Sequence, residues 1–168
     1  FNLLCHPEDL LDRNYRDLSE LSGVSLGSIG WVINDLKDRG YLSDGKNGQR
    51  RWLNKDELIK RWVVAYGEKL RPKLVLGYYQ SLQKNWYESV DINTFGALWG
   101  GELAADRLTQ YLKPEYSTVY TDENLGKLVL MNGLKKTQEK KDGNVEVVQK
   151  FWLFECSNTP SLVPPLMV

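Results

Sequence analysis

YRDLSELSGVSLGSIGWVINDLKDRGYLSDGKNGQRRWL, residues 15–53, decides how the first half of this chain folds. Asn14, just ahead of it, is a helix N-cap type, and Leu18 and Leu21 then share one helical face. Gly23 ends that helix. Ser25 caps a second one, whose apolar positions Leu26, Ile29, Ile33 and Leu36 step by three, four and three and so read as a buried stripe. Gly40 stands where a helix stop belongs, with Lys37 and Arg39 suited to the negative end of the dipole. Two short strands follow, Tyr41–Ser43 and Arg50–Leu53. Between them Asp44-Gly45-Lys46-Asn47-Gly48 is rich in residues that tolerate positive φ, which predicts a hairpin.

Outward from this stretch, Phe1 to His6 reads as the end of a helix, and the chain stops in an apolar run, Leu162 to Val168. Both ends are expected to be fragment ends. A longer helix is predicted from Asn54, with Glu57 as its capping-box partner, a core face of Leu58, Trp62, Ala65, Tyr66 and Leu70, and Arg71-Pro72 as its close. Lys73–Tyr79 reads as a strand and Ser81–Thr94 as a loop with Trp86 and Tyr87 packed back on the body. Phe95–Leu112 reads as mostly helical, Tyr116–Thr121 as a strand, and Glu123–Met131 as a short helix capped by Asp122. Leu134–Gln138 and Val145–Trp152 read as a hairpin around Lys141-Asp142-Gly143-Asn144. This order predicts a small mixed α/β domain.

The 168 residues carry 22 Lys+Arg against 22 Asp+Glu, and 42% are apolar. That is the composition of an ordinary globular chain, and it excludes a disordered tail or a histone-like polycation. No apolar run is long enough to span a bilayer, and residues 1–10 lack a secretory signal pattern. Neutrality is an average over unlike parts. Residues 1–36 hold two bases and six acids, whereas residues 37–73 hold eleven bases and five acids. A basic middle fits a surface that faces a polyanion. Cys5 and Cys156, far apart, read as reduced thiols of a cytoplasmic protein. With His6 the single histidine, Cys/His zinc sites and Ser-His-Asp triads are nearly excluded.

Helix, tight turn, helix and basic hairpin is the order of a winged helix-turn-helix, and residues 15–53 resemble that module in many bacterial regulators. The first helix braces the second, whose N-terminal turn can enter a major groove about 12 Å wide. Base readout would come from Ser25, Ser28, Trp31 and Asn34. Ser and Asn can bond base edges, while Trp can pack or donate a single bond. Lys37, Lys46, Arg50 and Arg51 are the candidate phosphate contacts.

Two motifs in the second half narrow the resemblance. Leu70-Arg71-Pro72-Lys73-Leu74-Val75-Leu76-Gly77-Tyr78-Tyr79 is similar to the linker-strand of AbiEi-type proteins. Phe95-Gly96-Ala97-Leu98-Trp99-Gly100-Gly101-Glu102-Leu103-Ala104-Ala105 is similar to the small-residue helix start of the same group. Over roughly residues 10–168 the chain resembles these transcriptional regulators and antitoxins of type IV toxin–antitoxin (abortive infection) systems. The resemblance implies repression of the chain's own operon through operator DNA, and a second domain that counteracts a nucleotidyltransferase-like toxin without a stable complex. A homodimer is compatible with it; no cofactor and no membrane are expected. The expected fold is α+β, with a winged helix-turn-helix and trailing helix over residues 1–71 and a mixed α/β domain over 72–168.

Two other classes compete with this reading. One is a protein-interaction module without DNA binding. The other is a metal-dependent nuclease built on Glu102 and Asp106, one helical turn apart, with Asp122 and Glu123. Helix capping and surface pairing explain these acids better. Gly96, Gly100 and Gly101 lack the lysine and hydroxyl of a phosphate loop. The aromatics, Trp86, Tyr87, Trp99 and Trp152 among them, are expected in cores, and Lys135, Lys136, Lys140 and Lys141 at a solvated hairpin tip.

Overall fold

The computed structural model describes residues 1–111, 113–122, 125–154 and 161–167. Helices and strands are mixed, and the chain divides into two compact units. Phe1–Leu70 with Trp152–Phe154 forms the first, and Arg71–Phe151 with residues 161–167 the second. The predicted roles or placements of Leu112, Glu123, Cys156 and Val168 lie outside the described residues.

The first unit opens with two single-turn helices, α1 (Asn2–Cys5) and α2 (Pro7–Leu10), with His6 between them. Pro7 suits the first helical position, where no N–H is needed. Helix α3 (Tyr15–Ser22) starts where Asn14 Oδ1 accepts the Asp17 N–H at 2.9 Å. The turn that follows is held by side chains: the Ser19 hydroxyl donates to the Val24 carbonyl and the Ser22 hydroxyl to the Leu18 carbonyl, both at 2.6 Å. Helix α4 (Leu26–Asp38) is then capped by Ser25. Its end is a Schellman turn, in which Gly40, at φ +73°, donates to the Lys37 carbonyl and Tyr41 donates to the Leu36 carbonyl. A side chain at Gly40 would strain that left-handed position. Strands β1 (Leu42–Asp44) and β2 (Arg50–Trp52) pair antiparallel, Leu42 opposite Trp52.

Leu10, Leu18, Ile33 and Leu42 are buried together, with Tyr15, Ile29, Leu36 and Trp52 packed around them. This core is smaller than the apolar pattern predicts. Leu21 is 48% exposed and Leu26 51%. Both lie in helix end turns that four buried side chains do not reach. Helix α5 (Lys55–Ala65) departs from expectation in its cap, its core face and its end. The Asn54 amide donates to the Gly40 carbonyl instead of capping, at 3.0 Å, and Ala65 is exposed. The helix also does not stop at Pro72. It widens to a π turn over Tyr66–Leu70 and passes into α6 (Arg71–Leu74), whose first turn holds Pro72, where a missing N–H costs little. Trp62 stacks on Tyr66 and on Phe1, each with ring centroids 5.0 Å apart, and Phe1 also meets Trp152 and Phe154. His6 meets the edge of Phe154.

The second unit is built on β3 (Val75–Gln80), β4 (Ala97–Gly100), α7 (Gly101–Thr109), β5 (Ser117–Thr121), α8 (Gly126–Met131), β6 (Lys135–Thr137) and β7 (Val145–Gln149). The five strands are ordered β4-β5-β7-β3-β6; β5 and β7 run parallel and every other pair antiparallel. Three expectations are corrected. Residues 97–100 are a strand, and only then does the chain turn helical, at Gly101. Helix α8 begins at Gly126 with no side-chain cap, so Asp122 does not serve it. The expected hairpin of β6 and β7 does not exist, because β3 lies between them and pairs with both. Trp99, Val119, Val145, Val147, Val148 and Val163 are fully buried, and Trp86 packs edge-on against Trp99 at 5.4 Å, as the loop reading expected. Trp99 also donates to the Ser161 carbonyl and accepts from the Val163 N–H, so the segment from 161 covers the β4 edge.

Candidate nucleic-acid interface

Helix α4 turns two unlike faces outward and inward. Ile29, Ile33 and Leu36 point into the core, so the 3.6-residue period places Gly27, Ser28, Trp31, Asn34, Asp35 and Asp38 on the opposite side. Ser25, Ser28, Trp31 and Asn34 are all exposed. Ser25 Oγ accepts the Ser28 N–H at 3.4 Å and lies 2.9 Å from Ser28 Oγ, so the two hydroxyls sit together at the leading turn. That turn also carries the unpaired N–H groups and partial positive charge of a helix start. The C-terminal half of the same face is acidic but partly neutralised, since Arg39 Nε reaches both oxygens of Asp35 at 2.8 Å. The Asp35 carboxylate in turn raises the affinity of Arg39 for its proton.

The four predicted phosphate contacts divide into two kinds. Lys46, at the hairpin tip, and Arg51 on β2 are exposed; Arg51 Nε also donates to Ser43 Oγ at 3.0 Å. Lys37 Nζ is in an ion pair with Asp44 at 2.7 Å, which ties α4 to β1. Arg50 faces the body. Its N–H donates to Asp12 Oδ1 at 3.0 Å, its guanidinium donates to the Arg13 carbonyl and lies 5.4 Å from the Tyr15 ring centroid, and its Nη1 is buried. Sequence spacing placed Lys46, Arg50 and Arg51 on one basic ribbon and Lys37 in the last turn of the helix, but could not tell which cations the fold would consume. The exposed Leu26 and Gly27 were missed as part of the leading turn. The signal available was position: Leu26 is the first helical residue, beyond the reach of the stripe it extends.

The second unit supplies the test of the nuclease alternative. Glu102 Oε2 accepts the backbone N–H groups of Glu115 and Tyr116, at 3.0 and 3.1 Å, and so ties the start of α7 to the chain entering β5. Asp122 faces Lys150 at 3.5 Å. Among the described residues no three His, Cys, Asp or Glu side chains gather as a metal site would require. An open cleft of about 540 Å³ is lined by Lys84, Glu88, Asp106, Arg107, Lys113 and Glu115 with Tyr87, its acids and bases equal in number. Arg107 sits 5.5 Å from the Trp99 ring centroid. Burial lowers its proton affinity, and Asp106 beside it opposes that shift. Among the described residues no helix is long and apolar enough to cross a membrane.

No curated protein and no solved structure matches the chain. A family model described as "Transcriptional regulator, AbiEi antitoxin, Type IV TA system" matches residues 51–168, which takes in α5 and the whole second unit and leaves residues 1–50 uncovered. The match thus starts later than the resemblance from about residue 10 suggests, but it spans well over half of the sequence. The chain belongs to the AbiEi antitoxin family, a regulatory family of type IV toxin–antitoxin systems.

Proposed function

We propose that residues 15–53 are a winged helix-turn-helix that binds double-stranded operator DNA and represses the chain's own operon. The second unit, in this reading, counteracts a nucleotidyltransferase-like toxin in the cytoplasm without holding it in a stable complex. The single observation that carries the DNA reading is the exposed outward face at the start of α4 (Ser25 and Ser28, with Trp31 one turn on) on the same unit as a hairpin with exposed cations at Lys46 and Arg51. Membership of a transcriptional-regulator family supports it. Phosphate contacts hold a protein in register and base-edge contacts select sequence, and the two groups of residues suit those two tasks.

Titration of the chain onto its own upstream DNA, at several salt concentrations and against an unrelated duplex, tests this. A preference for the upstream DNA is expected, with affinity falling linearly in log–log against salt. Changing both Lys46 and Arg51 to Ala should weaken both duplexes alike and flatten the slope by about 2, close to 0.9 for each phosphate no longer neutralised. Ser28→Ala should change the preference between duplexes instead. Absence of binding to either duplex at low salt overturns the DNA reading. Capture of a protein partner through α4 under those conditions would favour the interaction-module alternative.

A further inference from the structure

Trp31 is the anomaly of this surface. It is 69% exposed, whereas the other five tryptophans are buried or half-buried. Among the described residues it has no ring, cation or hydrogen-bond partner. Its position is central: Gly27 and Ser28 lie one turn before it on the outward face of α4, Asn34 and Asp35 one turn after. A large apolar ring held out at the middle of a contact face marks what that face is built to touch.

The chemistry of its neighbours says which base. The commonest specific contact in a major groove is a bidentate Arg or Lys on guanine. Here the cation of α4 and that of its C-cap are both in ion pairs, Lys37 with Asp44 and Arg39 with Asp35. The Ser25 hydroxyl serves the helix cap, and Gly27 has no side chain, with open space where its Cβ would stand. That leaves, on the outward face, the Ser28 hydroxyl, the Asn34 carboxamide, whose donor and acceptor suit adenine, and one large exposed apolar side chain, Trp31. In the major groove, thymine alone presents an apolar group, its 5-methyl. The bare backbone at Gly27 lets the helix approach closely enough for an indole to reach it.

We infer that Trp31 reads thymine methyl groups, so that the operator is specified at its core by A·T pairs recognised through apolar contact. This rests on the DNA reading above, and deepens it by naming the chemical feature read. The probe is a duplex of the DNA immediately upstream of the coding gene, compared with the same duplex carrying deoxyuridine for every thymine. That exchange removes the methyls and keeps every hydrogen-bonding edge. The full chain should bind the uridine duplex more weakly, by about fourfold for each thymine methyl that it reads. Trp31→Ala should bind both duplexes equally and weakly, with an unchanged thermal melt, and Trp31→Phe should keep the discrimination. Tight binding that ignores the exchange overturns the methyl inference and leaves the DNA reading standing. Failure to bind the thymine duplex at low salt overturns both.

Discussion

Arg50 and Arg51 are adjacent in sequence and opposite in use. On a strand, successive side chains point to opposite faces, so one of the pair must turn toward the body. Arg50 is the one that does, and a charged donor on a carbonyl in a half-buried setting contributes about 2 kcal/mol. Arg50→Ala should therefore lower the chemical-denaturation midpoint and leave the salt slope of DNA binding unchanged. Arg51→Ala should do the reverse, leaving stability within about 0.5 kcal/mol and flattening the slope by about 0.9. Tyr116 offers a second residue-scale test. Burial, reinforced by the negative charge of Glu146, pushes its phenol up to about 12. Below pH 10 the phenol is protonated folded or unfolded, and contributes no pH dependence. Between pH 10 and about 12 the unfolded chain releases a proton that the folded chain keeps, so stability falls as pH rises through that window. Tyr116→Phe should remove this part of the alkaline fall. Because the buried hydroxyl has no hydrogen-bond partner among the described residues, the change should cost nothing at pH 7.

At the scale of elements, the central strand β7 carries an acid where its neighbours are valines. Glu146 is 1% exposed and paired with Arg71, the first residue of the second unit. A buried pair contributes little net, yet removal of one partner strands the other charge. Arg71→Met should cost about 3 kcal/mol, and the double change Arg71→Met, Glu146→Leu should recover most of it, as read by denaturant unfolding. This pair also marks the limit of what the sequence discloses. Helices α3 and α4 and the β1–β2 hairpin are legible because their signals are local: Asn14 and Ser25 cap, Gly40 stops, and a glycine-rich turn joins the strands. The sheet is not, since its key pairings are remote. β5 meets β7 in parallel and β3 inserts between β6 and β7, and no local pattern encodes either. Residues 97–100 read as helix because Ala and Gly carry no strand signal. They are a strand because Gly100 lets the Tyr120 ring lie where a Cβ would be. In the candidate interface the residue types were legible, while the pairing of Lys37 with Asp44 and the inward turn of Arg50 depended on tertiary neighbours.

At the scale of the whole molecule, the two units are not simple halves of the sequence. The chain leaves the first unit at Leu70 and contributes Trp152–Phe154 to it some eighty residues later. Trp152 is buried there against Phe1, their ring centroids 5.8 Å apart, and Leu153 lies against Gly23 in the turn between α3 and α4. Sequence reading assigned Trp152 to the second domain as the last residue of the strand predicted over Val145–Trp152, and linear order is the only guide a sequence provides for such a return. The arrangement predicts where damage will appear. Removing a buried tryptophan ring costs about 3–5 kcal/mol, through reduced burial and the cavity left behind. In Trp152→Ala the loss should fall on residues 1–70, although the substitution lies beyond the end of β7. Hydrogen exchange of the intact chain would read it directly. Amides of α3, α4 and β1 should lose protection, while those of β5 and β7 keep theirs. Equal loss in both units, or loss confined to the sheet, would contradict the assignment of residues 152–154 to the first unit.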